Sequence, residues 1–119
     1  MSESVIQRHN VATRYSDAAV HNGVVYLAGM VPECEATDIA SQTADVLAQI
    51  DRVLAACGSN KARLLRVQIF LADIRDIAAM NTVWDAWVAP GHAPPRATVQ
   101  AALADPGWRI EVVATAAQS

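Results

Sequence analysis

Alternation of apolar and polar positions predicts a β-hairpin near the start of the chain. In AAVHNGVVYLAG, residues 18–29, two short runs of β-prone residues flank Asn22-Gly23. Asn-Gly is a strong two-residue hairpin signal because both central positions of a type I′ turn need a positive φ. Pro32 then interrupts the alternation, so we expect the second strand to end before it.

Helical periodicity is clear in two later segments. From Asp38 to Cys57, apolar residues recur at steps of three or four and form one stripe. Thr37 or Asp38 is placed to cap the start of this helix, and Gly58 to close its end. Asp73 to Val88 predicts a second helix, with one apolar face made of Ile77, Met80, Trp84, Trp87 and Val88. Tryptophans at helical spacing are more typical of a core than of a ligand platform.

Three further segments have the pattern of strands. Residues 65–71, LRVQIFL, are dense in β-branched and aromatic residues and predict a strand buried on both faces or nearly so. Residues 96–103 and 108–116 alternate, and Asp105-Pro106-Gly107 predicts a turn between them. The order is hairpin, helix, strand, helix and two strands. This order predicts an α+β fold with two helices packed on one face of a mixed β-sheet.

Composition narrows the class of protein. The 119 residues suit one domain, residues 1–119, and 53% apolar with 18% charged residues is a globular composition. A net charge of −3 disfavours a nucleic-acid partner, which would need a basic face. The apolar runs are far shorter than the ~20 residues of a membrane span, and the first residues lack a signal-peptide pattern.

The two cysteines indicate the compartment more than the chemistry. Cys34 and Cys57 are isolated, and neither has a second Cys or a His at metal-ligand spacing. Unpaired thiols in a chain without a signal pattern favour a reducing cytoplasm. We interpret both as small packing residues, dispensable for activity.

Small residues crowd the last two predicted strands. They are Ala97, Ala101, Ala102, Ala104, Ala114, Ala116 and Ala117. A sheet face of small and polar residues, opposite a helix-covered face, cannot form a second hydrophobic core. It is either solvated or packed against another subunit. The mixture of Gln100, Val113 and Thr115 favours the second option, so we expect a symmetric oligomer.

Arg96 and Glu111 are the candidate functional pair. If the last two strands lie in one sheet, we expect both side chains on the face away from the helices. One interpretation is a surface or interface ion pair, worth little energetically. The other is a small-molecule site, because Pro94-Pro95 fixes the backbone before Arg96 and the small neighbours leave room. A rigid guanidinium suits a carboxylate, and a nearby glutamate could orient a water.

Several segments together carry a resemblance to a known family. They are GVVYLAGMVP at 23–32, QIFLAD at 68–73, MNTVWDAW at 80–87, APPRATV at 93–99 and IEVVATA at 110–116. In these the chain resembles the RidA/YjgF family of enamine/imine deaminases. The resemblance implies a chorismate-mutase-like α+β fold and a trimeric, barrel-like assembly. It also implies a homotrimer with active sites in the clefts between subunits and no metal or cofactor.

The resemblance also assigns roles to residues. The family's carboxylate-gripping arginine falls on Arg96, and its water-positioning glutamate falls on Glu111. Further substrate-binding positions fall on Tyr15, Gly29 and Thr98. The chain departs from the family pattern where Ala28-Gly29-Met30 replaces Ser-Gly-Gln, which removes a hydroxyl, and where Val113 replaces a second glutamate.

Two functions of different class remain open at this stage. The resemblance implies hydrolysis of 2-imino acids and enamines, such as those formed from 2-aminoacrylate, to 2-keto acids and ammonia. The alternative is a non-catalytic module that binds small carboxylates or 2-keto acids, which Ala28 and Val113 slightly favour. RNA cleavage, an activity sometimes attributed to relatives, is disfavoured by the pI near 5.4 and by the lack of a basic cluster.

Overall fold

Residues 5–119 are described by a computed structural model, in which one β-sheet packs against a layer of two α-helices. The strands are β1 (Gln7–His9), β2 (Ala18–His21), β3 (Val24–Leu27), β4 (Leu64–Leu71), β5 (Arg96–Gln100) and β6 (Ile110–Ala117). The helices are α1 (Ile39–Ala56) and α2 (Ile77–Trp87). The predicted α+β fold with two helices and a mixed sheet is confirmed.

The strand order places β4 between the last two strands of the chain. It reads β1-β2-β3-β6-β4-β5, and every pair is antiparallel except β4 and β5, which are parallel. Helix α2 connects β4 to β5, as a parallel pair requires a crossover. The last two strands therefore do share one sheet, but they are not neighbours.

Local signals in the sequence give the hairpin and the start of α1. Asn22 and Gly23 have φ values of 50° and 78°, as the predicted turn requires. Asp38 is the N-cap of α1, since its side chain accepts a hydrogen bond of 2.8 Å from the backbone N–H of Ser41. The short strand β1, which pairs with β2, was not predicted, because three residues are too few to show a period.

The core lies between the sheet and the helices. Strand β4 contributes Val67, Ile69 and Leu71, each at most 1% exposed, to this face. Its other face is not covered within the described chain: Gln68 and Phe70 are half-buried and Leu65 is exposed. The prediction that this strand is buried on both faces is therefore wrong for the single chain, because only one side of the sheet carries helices.

The last two strands are shorter than predicted, and part of their alanine content is in the core. Strand β5 ends at Gln100 and β6 begins at Ile110. The loop between them includes the predicted turn, in which the N–H of Trp108 donates a hydrogen bond of 3.1 Å to the carbonyl of Asp105. Ala114 and Ala116 are fully buried beneath the helices. They let α1 approach the sheet and do not belong to an outer face.

The sheet face away from the helices, here called the open face, carries apolar side chains. Tyr26 is 50% and Val99 43% exposed, and Phe70 and Val113 are half-buried beside them. An uncovered apolar sheet face typically marks an interaction surface. Neither α1 nor α2 is long and apolar enough to cross a membrane.

Candidate functional site: two half-sites on opposite faces of the sheet

Arg96 is the first residue of the edge strand β5, and its backbone is held by Val67 of the neighbouring strand β4. The carbonyl of Pro95 accepts a hydrogen bond of 3.0 Å from the N–H of Val67, and Arg96 itself pairs with Val67 in the parallel ladder. The guanidinium carbon lies 5.0 Å from the ring centroid of Trp84 in α2. Arg96 is half-buried and forms no salt bridge with a carboxylate of residues 5–119.

Glu111 lies on β6 directly against Gly29. A β-carbon at Gly29 would collide with the Glu111 carboxylate in the position that it holds here, so glycine leaves room for this position. Two backbone hydrogen bonds between Met30 and Val112, of 2.8 and 3.0 Å, fix this approach. The Glu111 side chain is half-buried and has no hydrogen-bond or ionic partner in the described part of the chain.

Arg96 and Glu111 do not share a face. Neighbours across a ladder point to the same side, and Arg96 pairs with Val67, whose side chain is buried under the helices. Glu111 pairs with Phe70, on the open face. The expectation that both side chains lie away from the helices was therefore wrong for Arg96. The polar character of Arg96 suggested an outward face, but α2 supplies an indole face for its guanidinium.

Two polar side chains accompany Arg96 on the helix side. Thr98 pairs with Ile69 and so lies on the same face of β5 as Arg96. Its hydroxyl is buried and has no hydrogen-bond partner within residues 5–119, and the same holds for the side-chain oxygen of Asn81. Asn81 precedes Trp84 by one helical turn. Buried polar atoms usually have partners, so these two oxygens have hydrogen-bonding capacity that the described chain does not use.

Asn81 was not among the predicted site residues. Its signal in the sequence is weak, because one amide within an amphipathic helix is most simply a partly exposed residue. Only the packing of α2 against the sheet shows that its oxygen is buried. Arg96, Thr98, Asn81 and Trp84 are together called the arginine half-site.

Tyr15, which precedes β2, and Gly29, which follows β3, line a second region. In the strand order, β6 and β4 lie between these strands and β5. A small cleft of about 80 Å³ lies between the loop before β2 and the segment after β3. Its lining includes Tyr15, Asp17, Ala28, Gly29, Met30 and Gln49. The side chain of Tyr15 is largely solvent-exposed, at 64%. Glu111 is not among the residues that line this cleft, but it contacts Gly29. Tyr15, Gly29 and Glu111 are together called the glutamate half-site.

The titration shifts that stand out lie away from both half-sites. A hydrogen bond from the Arg75 side chain lowers the pKa of Asp73 to about 2. Burial raises the pKa of the Cys57 thiol, which suits the packing role predicted for it. Cys34 is exposed, so the packing role predicted for it is wrong. That both cysteines are dispensable for activity stays a prediction.

Comparison with known proteins identifies the family. The sequence profile described as Endoribonuclease L-PSP matches residues 5–118. The chain belongs to this family. The RutC family protein YoaB of Escherichia coli is 51% identical over 112 residues, covering 94% of this chain and 97% of YoaB. A RutC family protein of Haemophilus ducreyi is 46% identical over 113 residues, covering 95% and 97%.

Solved structures give the same result for the fold. The crystal structure of NMB1025 from Neisseria meningitidis, a member of the YjgF protein family, superposes with a TM-score of 0.96. It is 52% identical, and the match covers 98% of this chain and 97% of NMB1025. The predicted RidA/YjgF membership is thus confirmed, and the α+β fold is that of the YjgF family.

Proposed function

We propose that the protein hydrolyses small 2-imino acids and their enamine tautomers to 2-keto acids and ammonia, in clefts between the subunits of a homotrimer. The observation that carries the proposal is the pair of unpartnered charges, Arg96 and Glu111, on opposite faces of one sheet. A charge that is partly removed from water is stabilised by an opposite charge or a hydrogen bond. Arg96 and Glu111 have no such partner, and they cannot meet within one chain because they lie on opposite faces of the sheet. A site that a second copy of the chain completes explains both.

The arginine half-site supports recognition of a carboxylate. Arg96 presents parallel N–H donors that match a carboxylate in a two-bond geometry. Its ladder pairing with Val67 limits the directions in which its side chain can point. Thr98 and Asn81 offer a hydroxyl and an amide for the rest of a small ligand. Pyruvate, 2-oxobutyrate and the corresponding imino acids have this chemistry.

The glutamate half-site supports the hydrolytic step. A protonated 2-imino acid is already electrophilic at the imine carbon. Water attacks that carbon and a C–O bond forms as one water proton is removed, which gives a carbinolamine. That proton is returned to the nitrogen, the hydroxyl group loses its proton and becomes the carbonyl, and the C–N bond breaks to release the keto acid and ammonium. Glu111 accepts a hydrogen bond from the attacking water and takes its proton, while the ring of Tyr15 closes over the ligand.

The open face supports assembly with further copies. Tyr26, Phe70, Val99 and Val113 form an apolar surface that a neighbouring subunit would cover. In a closed cyclic trimer each subunit contributes two different edges to its neighbours. The arginine half-site of one copy then meets the glutamate half-site of the next. A particle about three times the 12.7 kDa of the chain is expected in sedimentation equilibrium.

A coupled assay tests the reaction. A pyridoxal-phosphate dehydratase generates the imine of pyruvate from serine, and the pyruvate that forms is measured by its enzymatic reduction. We expect the protein to accelerate pyruvate release and Arg96→Ala to abolish the acceleration. If the wild-type protein binds pyruvate tightly but leaves the rate unchanged, the molecule is a carboxylate-binding module. Ala28, a methyl in the cleft where many relatives have a hydroxyl, favours that second function.

A further inference from the structure

Trp84 occupies a special position relative to Arg96. Its indole is buried, with only 6% exposed, and the guanidinium carbon of Arg96 lies 5.0 Å from the ring centroid. This is within the distance at which a cation is attracted to an aromatic face. An aromatic face, unlike a carboxylate, does not neutralise the guanidinium charge. Arg96 can therefore be held by Trp84 and still bind an anion.

The indole of Trp84 also packs against the indole of Trp87. The ring centroids of Trp84 and Trp87 are 5.4 Å apart with the planes tilted by 51°. The indole N–H of Trp87 donates a 2.9 Å hydrogen bond to Asp51 of α1. A line of contacts thus runs from α1 through both tryptophans to Arg96, and it gives the Trp84 ring little freedom to move.

We propose that Trp84 is a positioning residue that fixes the direction of the Arg96 guanidinium for carboxylate binding. The inference rests on the proposed function for its ligand, but the contact itself does not. Backbone pairing with Val67 fixes only the main chain of Arg96. The side chain has four rotatable bonds, and it has no carboxylate partner among residues 5–119 to order it. The indole face supplies that order.

Side-chain dynamics test the proposal independently of any ligand. The Nε–Hε signal of Arg96, assigned by its loss in Arg96→Lys, reports the order of the guanidinium by ¹⁵N relaxation. We expect a rigid group in the wild-type protein, a mobile one in Trp84→Met, and an intermediate one in Trp84→Phe, which keeps a weaker aromatic face. Val83→Ala is the control, because it removes a partly buried apolar side chain of the same helix that is not in this line of contacts.

Affinity for pyruvate is the second readout. Trp84→Met should weaken pyruvate binding by about 5- to 30-fold, the range of a partly desolvated cation–π contact. In the imine assay KM should rise by a similar factor, while Val83→Ala lowers thermal stability with KM unchanged. If Trp84→Met does not fold, the intermediate order in Trp84→Phe decides the matter.

Two outcomes separate this proposal from the function it serves. An Arg96 group as rigid in the Trp84 variants as in the wild-type protein overturns the positioning role, whatever the activity. A wild-type protein that binds neither pyruvate nor 2-oxobutyrate, with Arg96 loosened only in the Trp84 variants, supports the positioning role and overturns the proposed function.

Discussion

Arg96 and Glu111 extend from opposite faces of the same sheet, Arg96 toward the indole of Trp84 and Glu111 toward Gly29 on the open face. The separation follows from the strand order, in which β4 lies between β5 and β6. Arg96 pairs with Val67 of β4, whose side chain faces the helices, and Glu111 pairs with Phe70 of β4, whose side chain lies on the open face. Within one chain the two charges cannot act on one small molecule. Any chemistry they share requires two chains.

Arg96→Lys should lose nearly as much activity as Arg96→Ala. Lysine keeps the charge but cannot offer two parallel donors, and the loss of a charge-assisted pair of hydrogen bonds costs about 2 to 3 kcal/mol. We expect kcat/KM for imine hydrolysis to fall about a hundredfold with little change in melting temperature. Arg75→Lys, at an exposed arginine remote from both half-sites, is the control. If Arg96→Lys retains most of the activity, the positive charge at position 96 is sufficient and the two parallel hydrogen bonds are not needed.

Gly29→Ala should destabilise the protein through a clash with one specific carboxylate. The new β-carbon would meet the Glu111 side chain, which then has to leave its place over Gly29. We expect a lower melting temperature and loss of activity. In a Glu111→Ala background the obstacle is gone, so the same substitution should cost much less stability. Equal stability losses in both backgrounds, measured at one protein concentration, would mean that the contact is not the cause.

Gln42→Ala should destabilise the fold without affecting ligand affinity. The side chain of Gln42 is 2% exposed and joins three segments of backbone. Its amide donates to Ala36 and Gly107 over 3.0 Å each, and its oxygen accepts from Arg109 over 2.8 Å. Loss of these bonds should lower the free energy of unfolding by about 2 to 4 kcal/mol. Gln7→Ala, at an exposed glutamine of β1, should change it by less than about 0.5 kcal/mol.

Asp73 should titrate well below an ordinary aspartate. Hydrogen bonds from Arg75 hold its pKa near 2 against an ordinary value of 3.8. A folded-state pKa below the unfolded one stabilises the protein above pH 3.8, and that contribution is lost as the pH falls through about 2. In Arg75→Gln the pKa of Asp73 should rise toward 3.8. Carbon-13 NMR of the carboxyl group measures it, and an unchanged midpoint would show that the Arg75 side chain is not the cause.

The sequence predicted the local structure well, because its signals are local. Asn22-Gly23 defines the hairpin and Asp38 the start of α1, and both depend on residues within a few positions. The face of Arg96 could not be predicted in the same way. It depends on which strands are neighbours, and the local pattern carries no signal for a parallel β4–β5 pair with α2 crossing over it.

The candidate site shows the same difference between features that depend on local sequence and features that depend on tertiary packing. The roles proposed for Arg96 and Glu111 rest on residue chemistry and on the family resemblance, whereas alternation alone put both side chains on one face. Asn81 was missed because its buried oxygen is a consequence of tertiary packing, and one asparagine in a helix carries no periodic signal. A polar residue at the start of an edge strand is also ambiguous, since a neighbouring helix can offer it an aromatic face.

Subunit mixing tests the shared site most directly. Arg96→Ala and Glu111→Ala proteins, each inactive alone, are unfolded together, refolded at equal ratio and assayed for imine hydrolysis. If each cleft takes Arg96 from one copy and Glu111 from its neighbour, about a quarter of the clefts regain both residues, and about a quarter of wild-type activity should return. If the mixed oligomers form and remain as inactive as the parents, the two residues do not act in one intersubunit cleft.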